Sequence, residues 1–268
     1  MQREASGCTL QCKQEIREEL RSSGFVYVPA RDFLTSPELE KFWFRLRDSY
    51  VELPADPHDQ SGTRYRRYGK FHRLPGSEDF RPYRPIDGMT AYLQDGNLNP
   101  DHDGNVRWFA SLTEAQAGNP FLSALIKFDI CQLPILEGWS QVVIQAGVHP
   151  IRILARPGRP GMSSPDQLHR DGERFTFIHL VELADVEGGL STVATNDRVL
   201  EIDRLPELVA MANLEIRLIN PLDTLIVSDA LVWHHVGAIT VKPGYREGWR
   251  SVLLIDFVPL LPDLTKNS

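Results

Sequence analysis

Cysteine is scarce in this chain. Its 268 residues include three, Cys8, Cys12 and Cys131, and so odd and sparse a set does not make a disulfide framework. Cys8 and Cys12 could begin a metal-binding pair, but no second pair follows them. We therefore expect incidental reduced thiols and a cytoplasmic protein.

The chain also has fewer positive than negative charges, and it has no long apolar run. Lysine and arginine number 29 against 36 aspartate and glutamate, a net charge of −7, which argues against nucleic acid or an anionic membrane as the main partner. No run is apolar enough to span a bilayer, and the polar residues 1–19 lack the apolar segment of a signal peptide. Hydrophobic residues still make up 42% of the chain, enough for a substantial core. The sequence does not indicate an oligomeric state.

The character of the sequence changes near Trp139. Before it, amphipathic patterns predict helices at residues 12–22, 35–50, within 111–136 and, in shorter form, near 89–93. After it, stretches rich in β-branched residues predict strands at 140–155, 175–181, 190–195, 214–219, 223–228, 231–239 and 250–258. Many short strands separated by turns are typical of a jelly roll. We predict a single α+β domain, residues 1–268, in which a helix-rich part (1–138) packs on a jelly-roll core (139–260).

His169 and Asp171 are candidates for a metal site. Residues i and i+2 of an extended strand point to the same face, so this imidazole and this carboxylate can converge on one point. Such a pair is two thirds of the 2-His-1-carboxylate triad that holds Fe(II) in non-haem oxygenases. Among the eight histidines, only His169 is followed two positions later by an acidic residue. The alternative is a surface histidine near a solvated aspartate.

A third ligand could come from His234 or His235, which are adjacent on a predicted strand. Neighbouring strand residues face opposite sides, so only one of the two can point at a metal. Two half-buried histidines without a metal are the alternative.

Arginines at two places in the sequence could bind carboxylates. Arg250 is the first residue of an apolar strand, where an unpaired charge is costly. A bound carboxylate would suit its bidentate guanidinium. The alternative is an arginine in solvent or paired with a nearby aspartate. Residues 63–73 interleave basic and aromatic side chains. This alternation predicts either an exposed edge strand with solvated charges or a face that presents arginines to a small carboxylate.

Together these residues resemble the Fe(II)/2-oxoglutarate-dependent dioxygenases, and within them the free amino-acid hydroxylases of the L-isoleucine 4-hydroxylase type. The similar stretches are 147–152, 168–172, 187–189, 221–225, 229–239 and 245–257, with a looser match at 64–71. The resemblance implies a double-stranded β-helix (jelly-roll) core with flanking N-terminal helices, and Fe(II), 2-oxoglutarate and O2 as cofactors. It implies that His169, Asp171 and His234 hold the iron and that Arg250 binds the distal carboxylate of 2-oxoglutarate.

The resemblance also implies a reaction, the hydroxylation of an unactivated C–H bond of a small free L-amino acid or a close derivative, with succinate and CO2 as co-products. Desaturation or oxidative cyclisation of an amino-acid-derived substrate in secondary metabolism is a second possibility. A non-catalytic jelly-roll binding or sensor protein is a third. Alternation, charge and resemblance together predict that Arg66 or Arg152 anchors the substrate carboxylate, that Tyr68 lines an apolar side-chain pocket, and that Phe175 or Trp233 shapes the pocket near the iron.

Overall fold

A computed structural model describes residues 13–33, 36–93, 105–134, 138–163, 168–195 and 214–260. The α-helices in this part of the chain are α1 (Gln14–Ser23), α2 (Pro37–Asp48), α3 (Glu114–Ala117) and α4 (Pro120–Gln132), and short 3-10 helices lie at Ala30–Asp32, Ser49–Glu52 and Trp139–Gln141. None of these described helices is both long and apolar enough to cross a membrane.

Strands dominate the described residues. They are β1 (Phe25–Val28), β2 (Arg64–Arg66), β3 (Gly69–Arg73), β4 (Arg81–Pro82), β5 (Met89–Tyr92), β6 (Arg107–Ala110), β7 (Val143–Ala155), β8 (Phe175–Ala184), β9 (Val186–Gly188), β10 (Ser191–Thr195), β11 (Leu214–Ile216), β12 (Thr224–Val227), β13 (Val232–Val236), β14 (Ile239–Val241) and β15 (Gly248–Leu260). The main sheet has eight antiparallel strands in the order β1–β12–β8–β15–β7–β3–β4, with β2 also paired to β7. A three-stranded sheet follows the order β11–β10–β13, and β14–β9 and β5–β6 form two-stranded sheets.

Strand alternation gives the main sheet two different faces, because successive side chains point to opposite sides. On β15, Leu253 and Ile255 belong to an apolar core that the sheet shares with α1, α2 and α4. Val252 and Leu254, on the other face, line a cavity. A second apolar cluster joins this inner face to the three-stranded sheet through residues such as Val193. The main sheet therefore separates a helix-covered core from the cavity.

Local signals explain where the helices begin and end. Gly24 ends α1 in a left-handed conformation, φ 80°, which glycine adopts freely. The Ser36 side chain caps α2 by accepting a hydrogen bond from a backbone N–H, and Asn119 caps α4 in the same way just before Pro120. Within the described residues, the helices predicted at 12–22, 35–50 and 111–136 and the strands predicted after Trp139 are confirmed.

Three expectations differ from the structure. The short helix predicted near residues 89–93 is wrong, because Met89–Tyr92 forms β5 and pairs with β6; a segment this short has no periodicity of its own, and pairing decides its structure. The helix-rich description of residues 1–138 is incomplete, since β1 to β4 come from this part and belong to the main sheet. Cys131 is disulfide-bonded rather than a reduced thiol, while Cys8 and Cys12 lie outside the described residues.

A buried ionisable pair joins α4 to the main sheet. His179 on β8 and Asp129 on α4 are both fully buried, with 2.9 Å between His179 Nε2 and Asp129 Oδ2. The Thr224 hydroxyl donates to the Leu222 carbonyl, so it accepts from His179 Nδ1 at 2.8 Å. A proton must therefore lie between Nε2 and Asp129, carried by one or the other. Burial raises the pKa of Asp129, although the adjacent histidine lowers it. Because both side chains are fully buried, the loss of either one leaves the other as a buried polar group without this hydrogen bond.

We predict that Asp129→Ala lowers the free energy of unfolding by about 3 kcal/mol, because it orphans a buried imidazole. Asp79→Ala is the control: Asp79 is 68% exposed where it pairs with Lys127, and we expect a change below about 1 kcal/mol. Urea unfolding of both variants measures the difference. Equal stability of the two variants would show that the buried pair does not hold α4 to the sheet.

Candidate active site

The cavity is lined by residues of the main sheet and of the three-stranded sheet. Its volume is about 880 Å³ when the open space at its mouth is included. The aliphatic part of its wall is Ile151, Ile153, Ile178, Val236, Val252 and Leu254. The charged part consists of four arginines and three carboxylates: Arg64, Arg66, Arg107, Arg250, Asp171, Glu173 and Asp256.

His169, Asp171 and His234 meet on the wall of this cavity. His169 and His234 pair as neighbouring strands do: each backbone N–H donates to the other residue's carbonyl at 3.0 Å. Asp171 follows in the loop, with Oδ1 3.5 Å from His169 Nε2 and Oδ2 3.3 Å from His234 Nε2. One ligand atom from each residue lies within 4.8 Å of the others, so the three could hold one metal ion. The structure brings His234, and not His235, to this cluster.

The protonation states of the cluster suit a metal. Burial disfavours the charged form of Asp171, but hydrogen bonds from His169 and His234 outweigh burial and hold its pKa well below the usual range. Burial, assisted by the neighbouring His169, lowers the pKa of His234. An ionised carboxylate and a neutral imidazole are the forms that bind metals, and two nitrogens with one carboxylate oxygen are the donor set typical of non-haem Fe(II).

Asp229 lies behind His234. Its Oδ2 accepts a hydrogen bond from the Gly172 N–H at 2.8 Å, and its Oδ1 lies 3.7 Å from His234 Nδ1. This distance is too long for a hydrogen bond, and neither atom has a hydrogen-bond partner among the described residues, but it leaves Nε2 as the nitrogen of His234 that faces Asp171. The same aspartate thus connects the loop that carries Asp171 to the strand that carries His234.

Arg250 lines the cavity and has a buried donor without a hydrogen-bond partner among the described residues. The side chain is 3% exposed, and its Nη2 has no hydrogen-bond partner among the described residues. Burial and the nearby Arg217 lower its pKa to about 10, so the guanidinium remains charged at neutral pH. Gly189 leaves room for it, since a Cβ there would lie 3.2 Å from Arg250 Cδ. No acidic side chain of the described residues pairs with this buried guanidinium, which is therefore suited to bind a carboxylate.

Arg66 is held by a buried chain of polar groups. Its Nη2 donates to His149 Nδ1 at 2.5 Å, and His149 Nε2 lies 2.8 Å from Asp256 Oδ2. Because arginine can only donate, Nδ1 is the acceptor and Nε2 carries the proton that goes to Asp256. Burial lowers the pKa of His149, which favours this neutral form. The Arg66 guanidinium also lies over the Phe109 ring, 4.1 Å from its centroid.

Gly147 makes room for this chain. It pairs with Asp256 across β7 and β15, and a Cβ at position 147 would lie 2.7 Å from Asp256 Cγ, closer than atoms can approach. Glycine therefore lets the Asp256 carboxylate lie flat against β7 and reach His149, two residues further along the same strand.

The remaining charged groups differ in their partners. Arg64 is committed to Asp56, with 2.6 Å between Arg64 Nε and Asp56 Oδ2. Glu173, which lines the cavity, forms no ion pair with any basic side chain of the described residues, and Tyr92 donates a hydrogen bond to it. Burial, followed by the charges of Asp256 and Asp171, raises the pKa of Glu173 to about 9.

Several residues predicted to touch substrate lie elsewhere. Arg152 is on the helix-covered face of the main sheet, where it donates to Ser251 and Glu182 and lies over Trp249. Phe175 is in the apolar core beside Trp139. The sequences of these strands could not reveal which of their two faces borders the cavity.

Trp233 and Tyr68 are also displaced from the cavity wall. Trp233 packs outside it, under the Arg170 guanidinium. Tyr68 is buried one layer behind the wall and stacks on His149, with 4.3 Å between ring centroids. Of the residues predicted for substrate, the structure brings Arg66 to the cavity, and it excludes the exposed-edge interpretation of residues 63–73 because Arg64 and Arg66 are buried.

Sequence reasoning missed Glu173, His149 and Asp256. Alternation could have found Asp256, since it shares a face of β15 with the predicted Arg250. His149 lies on the face of β7 opposite to the predicted Arg152, so alternation pointed away from it. Glu173 stands two residues after Asp171 in a loop without periodicity, so only its acidic character marked it.

Comparisons with known proteins agree with this geometry. The profile of the family described as 2OG-Fe dioxygenase matches residues 47–256. L-isoleucine-4-hydroxylase of Bacillus thuringiensis is 28% identical over 248 residues, 91% of this chain and 94% of the relative. The 3(1)-hydroxy-L-isoleucine 4-dioxygenase of Pantoea ananatis is 27% identical over 255 residues, 91% of this chain and 95% of the relative.

A solved structure extends the likeness to three dimensions. The crystal structure of IDO from Bacillus thuringiensis superposes with a TM-score of 0.74 at 25% identity, over 92% of this chain and 99% of that one. The predicted resemblance is confirmed: the chain belongs to the 2OG-Fe dioxygenase family, and is an enzyme that uses Fe(II), 2-oxoglutarate and O2.

Proposed function

We propose that this enzyme hydroxylates an unactivated C–H bond of a small free L-amino acid with an aliphatic side chain. One observation carries the proposal: a single cavity combines a His–Asp–His cluster, two separate buried arginines (Arg66 and Arg250) and an aliphatic wall. Two carboxylate-bearing ligands, the co-substrate and an amino acid, would each find a cationic partner there. The named substrates of both curated relatives, L-isoleucine and a hydroxy-isoleucine, support an aliphatic amino acid.

His169, Asp171 and His234 would hold the iron, His234 through its Nε2. Bound Fe(II), together with 2-oxoglutarate and O2, supplies the oxidation that converts C–H to C–OH and leaves succinate and CO2. The cavity residues then have two tasks, to place one C–H bond of the substrate near the metal and to keep bulk water away from it. We propose a double-stranded β-helix for the core, which the shared cavity between the main sheet and the three-stranded sheet supports.

Arg250 would pair with the distal carboxylate of 2-oxoglutarate. Its buried Nη2 lacks a hydrogen-bond partner among the described residues, and no described acidic group raises its pKa. An incoming carboxylate would remove the cost of burying this charge alone.

Arg66 would anchor the substrate carboxylate. Arg64 is already paired with Asp56 at 2.6 Å, and Arg152 faces away from the cavity. Arg66 is fixed by His149 and Phe109 yet keeps its Nε without a hydrogen-bond partner in the described part of the chain. A guanidinium held in one orientation loses little entropy when it binds.

A panel of free L-amino acids, assayed with Fe(II), ascorbate and 2-oxoglutarate, tests the function. We expect mass spectrometry to find a gain of one oxygen on an aliphatic member, with one succinate formed for each product. A loss of two hydrogens instead would indicate desaturation or ring closure, and would replace hydroxylation in the proposal. Succinate formation that no amino acid of the panel stimulates would contradict an amino-acid substrate.

Alanine substitution at His169, Asp171 or His234 should abolish stoichiometric iron binding, because each removes one of three ligands. His235→Ala is the matched control on the same strand. The His235 side chain faces away from the cluster, so this variant should keep its iron. Metal analysis after anaerobic loading with Fe(II), with circular dichroism as a check of folding, measures both effects. Iron lost from His235→Ala but kept by His234→Ala would move the ligand to the other face of β13.

Arg250→Ala should raise the apparent KM for 2-oxoglutarate by roughly 30-fold or more, corresponding to about 2–5 kcal/mol for a lost buried charge pair. Arg152→Ala removes an arginine from the neighbouring strand of the same sheet but on the helix-covered face, so its KM for 2-oxoglutarate should stay that of the wild type. Steady-state succinate formation gives both values. Similar KM values for Arg250→Ala and the wild-type enzyme would place the co-substrate carboxylate elsewhere.

A further inference from the structure

The charges that line the cavity do not all have partners. Among the three carboxylates, Asp171 belongs to the metal cluster, and Asp256 is 2.8 Å from His149 Nε2. Glu173 alone among these three has neither a metal role nor a basic partner in the described residues. A carboxyl group in such surroundings ionises at little cost only where a cation meets it.

Glu173 is also in a position to meet substrate. It follows the metal ligand Asp171 by two residues and borders the same cavity as Arg66. Tyr92 on β5 contacts its carboxylate by a hydrogen bond, which limits the directions in which the side chain can turn. The one contact from Tyr92 leaves further acceptor sites on the two carboxyl oxygens, whether or not the group carries a proton.

A free amino acid carries a positive group that the function proposed above does not yet place. Its carboxylate is assigned to Arg66, and the aliphatic wall suits its side chain, but the ammonium needs an acceptor. Ammonium offers three donors and no acceptor, so neither the arginines nor the aliphatic residues can receive it.

We propose that Glu173 receives the α-ammonium group of the substrate and makes the enzyme selective for a free primary amine. This inference rests on the proposed amino-acid substrate. Arg66 on β2 and Glu173 in the loop after Asp171 would then hold the two charged groups of one amino acid from different parts of the fold. The same pair would reject N-acylated amino acids and α-hydroxy acids, which keep the carboxylate but lack the cation.

Glu173→Gln, which keeps the shape and removes the charge, tests the assignment. The probes are L-isoleucine, or the best amino acid of the panel, and the analogue whose amino group is replaced by hydroxyl. Their dissociation constants are measured by calorimetry on the anaerobic complex with Fe(II) and 2-oxoglutarate, and KM values are measured where turnover occurs. Glu182→Gln, which removes a carboxylate on the helix-covered face beside Arg152, is the matched control.

We expect Glu173→Gln to weaken binding of the amino acid by about 10- to 200-fold, the range for hydrogen bonds to charged groups. Binding of the hydroxy acid, the iron content and the KM for 2-oxoglutarate should stay within threefold of wild type, as should every value for Glu182→Gln. Wild-type enzyme should prefer the amino acid over the hydroxy acid by a similar factor, a comparison that needs no variant to fold.

Two results would overturn the assignment. If Glu173→Gln weakens both probes equally, or neither, Glu173 does not meet the ammonium group. Wild-type enzyme that binds both probes equally would lead to the same conclusion. A wild-type enzyme that binds Fe(II) and 2-oxoglutarate but no amino acid of the panel would instead reject the proposed function, and the role of Glu173 with it.

Discussion

The reciprocal backbone hydrogen bonds between His169 and His234 set the geometry on which the site depends. They join a loop after β7 to β13, two parts of the chain far apart in sequence, and fix which face of β13 meets Asp171. The Gly172 N–H then ties the following turn to Asp229, which stands behind His234. Backbone pairing therefore places the three ligand atoms before any metal binds, so the cost of ordering them is met by folding.

Burial of charge is the second constraint. Burial lowers the pKa of both Arg66 and Arg250 to about 10, and each lines the same cavity on the inner face of the main sheet. The two differ in their support: His149 and Asp256 hold Arg66 in one orientation, whereas Arg250 has a donor with no hydrogen-bond partner in the part of the chain that the structure describes. Two cationic positions with different surroundings allow one cavity to bind two carboxylates and still distinguish them.

The sequence revealed the parts of the site that depend on spacing within a few residues. The His169–Asp171 spacing and the cost of a charge on an apolar strand follow from local geometry. Local geometry also shows that only one of His234 and His235 can face a metal, but the choice of His234 came from the resemblance to the family. Which face of each strand borders the cavity depends on pairing between distant segments, so Arg152 and Phe175 were as plausible as Arg66 until the sheet was assembled. Likewise, β5 could be mistaken for a helix because only its pairing with β6 identifies it. Glu173 lies in a loop without periodicity, so nothing beyond its acidic character marked it.

The central claim is that one cavity holds the metal and the co-substrate together. Anaerobic titration of the apoprotein with Fe(II) and 2-oxoglutarate, followed by visible absorption, tests it directly, because a keto acid that chelates iron gives a weak charge-transfer band. The account predicts a band that saturates at one Fe(II) and one 2-oxoglutarate for each chain and that shifts when the amino-acid substrate is added. Tight binding of both ligands without such a band would show that they occupy separate sites, and would contradict the account.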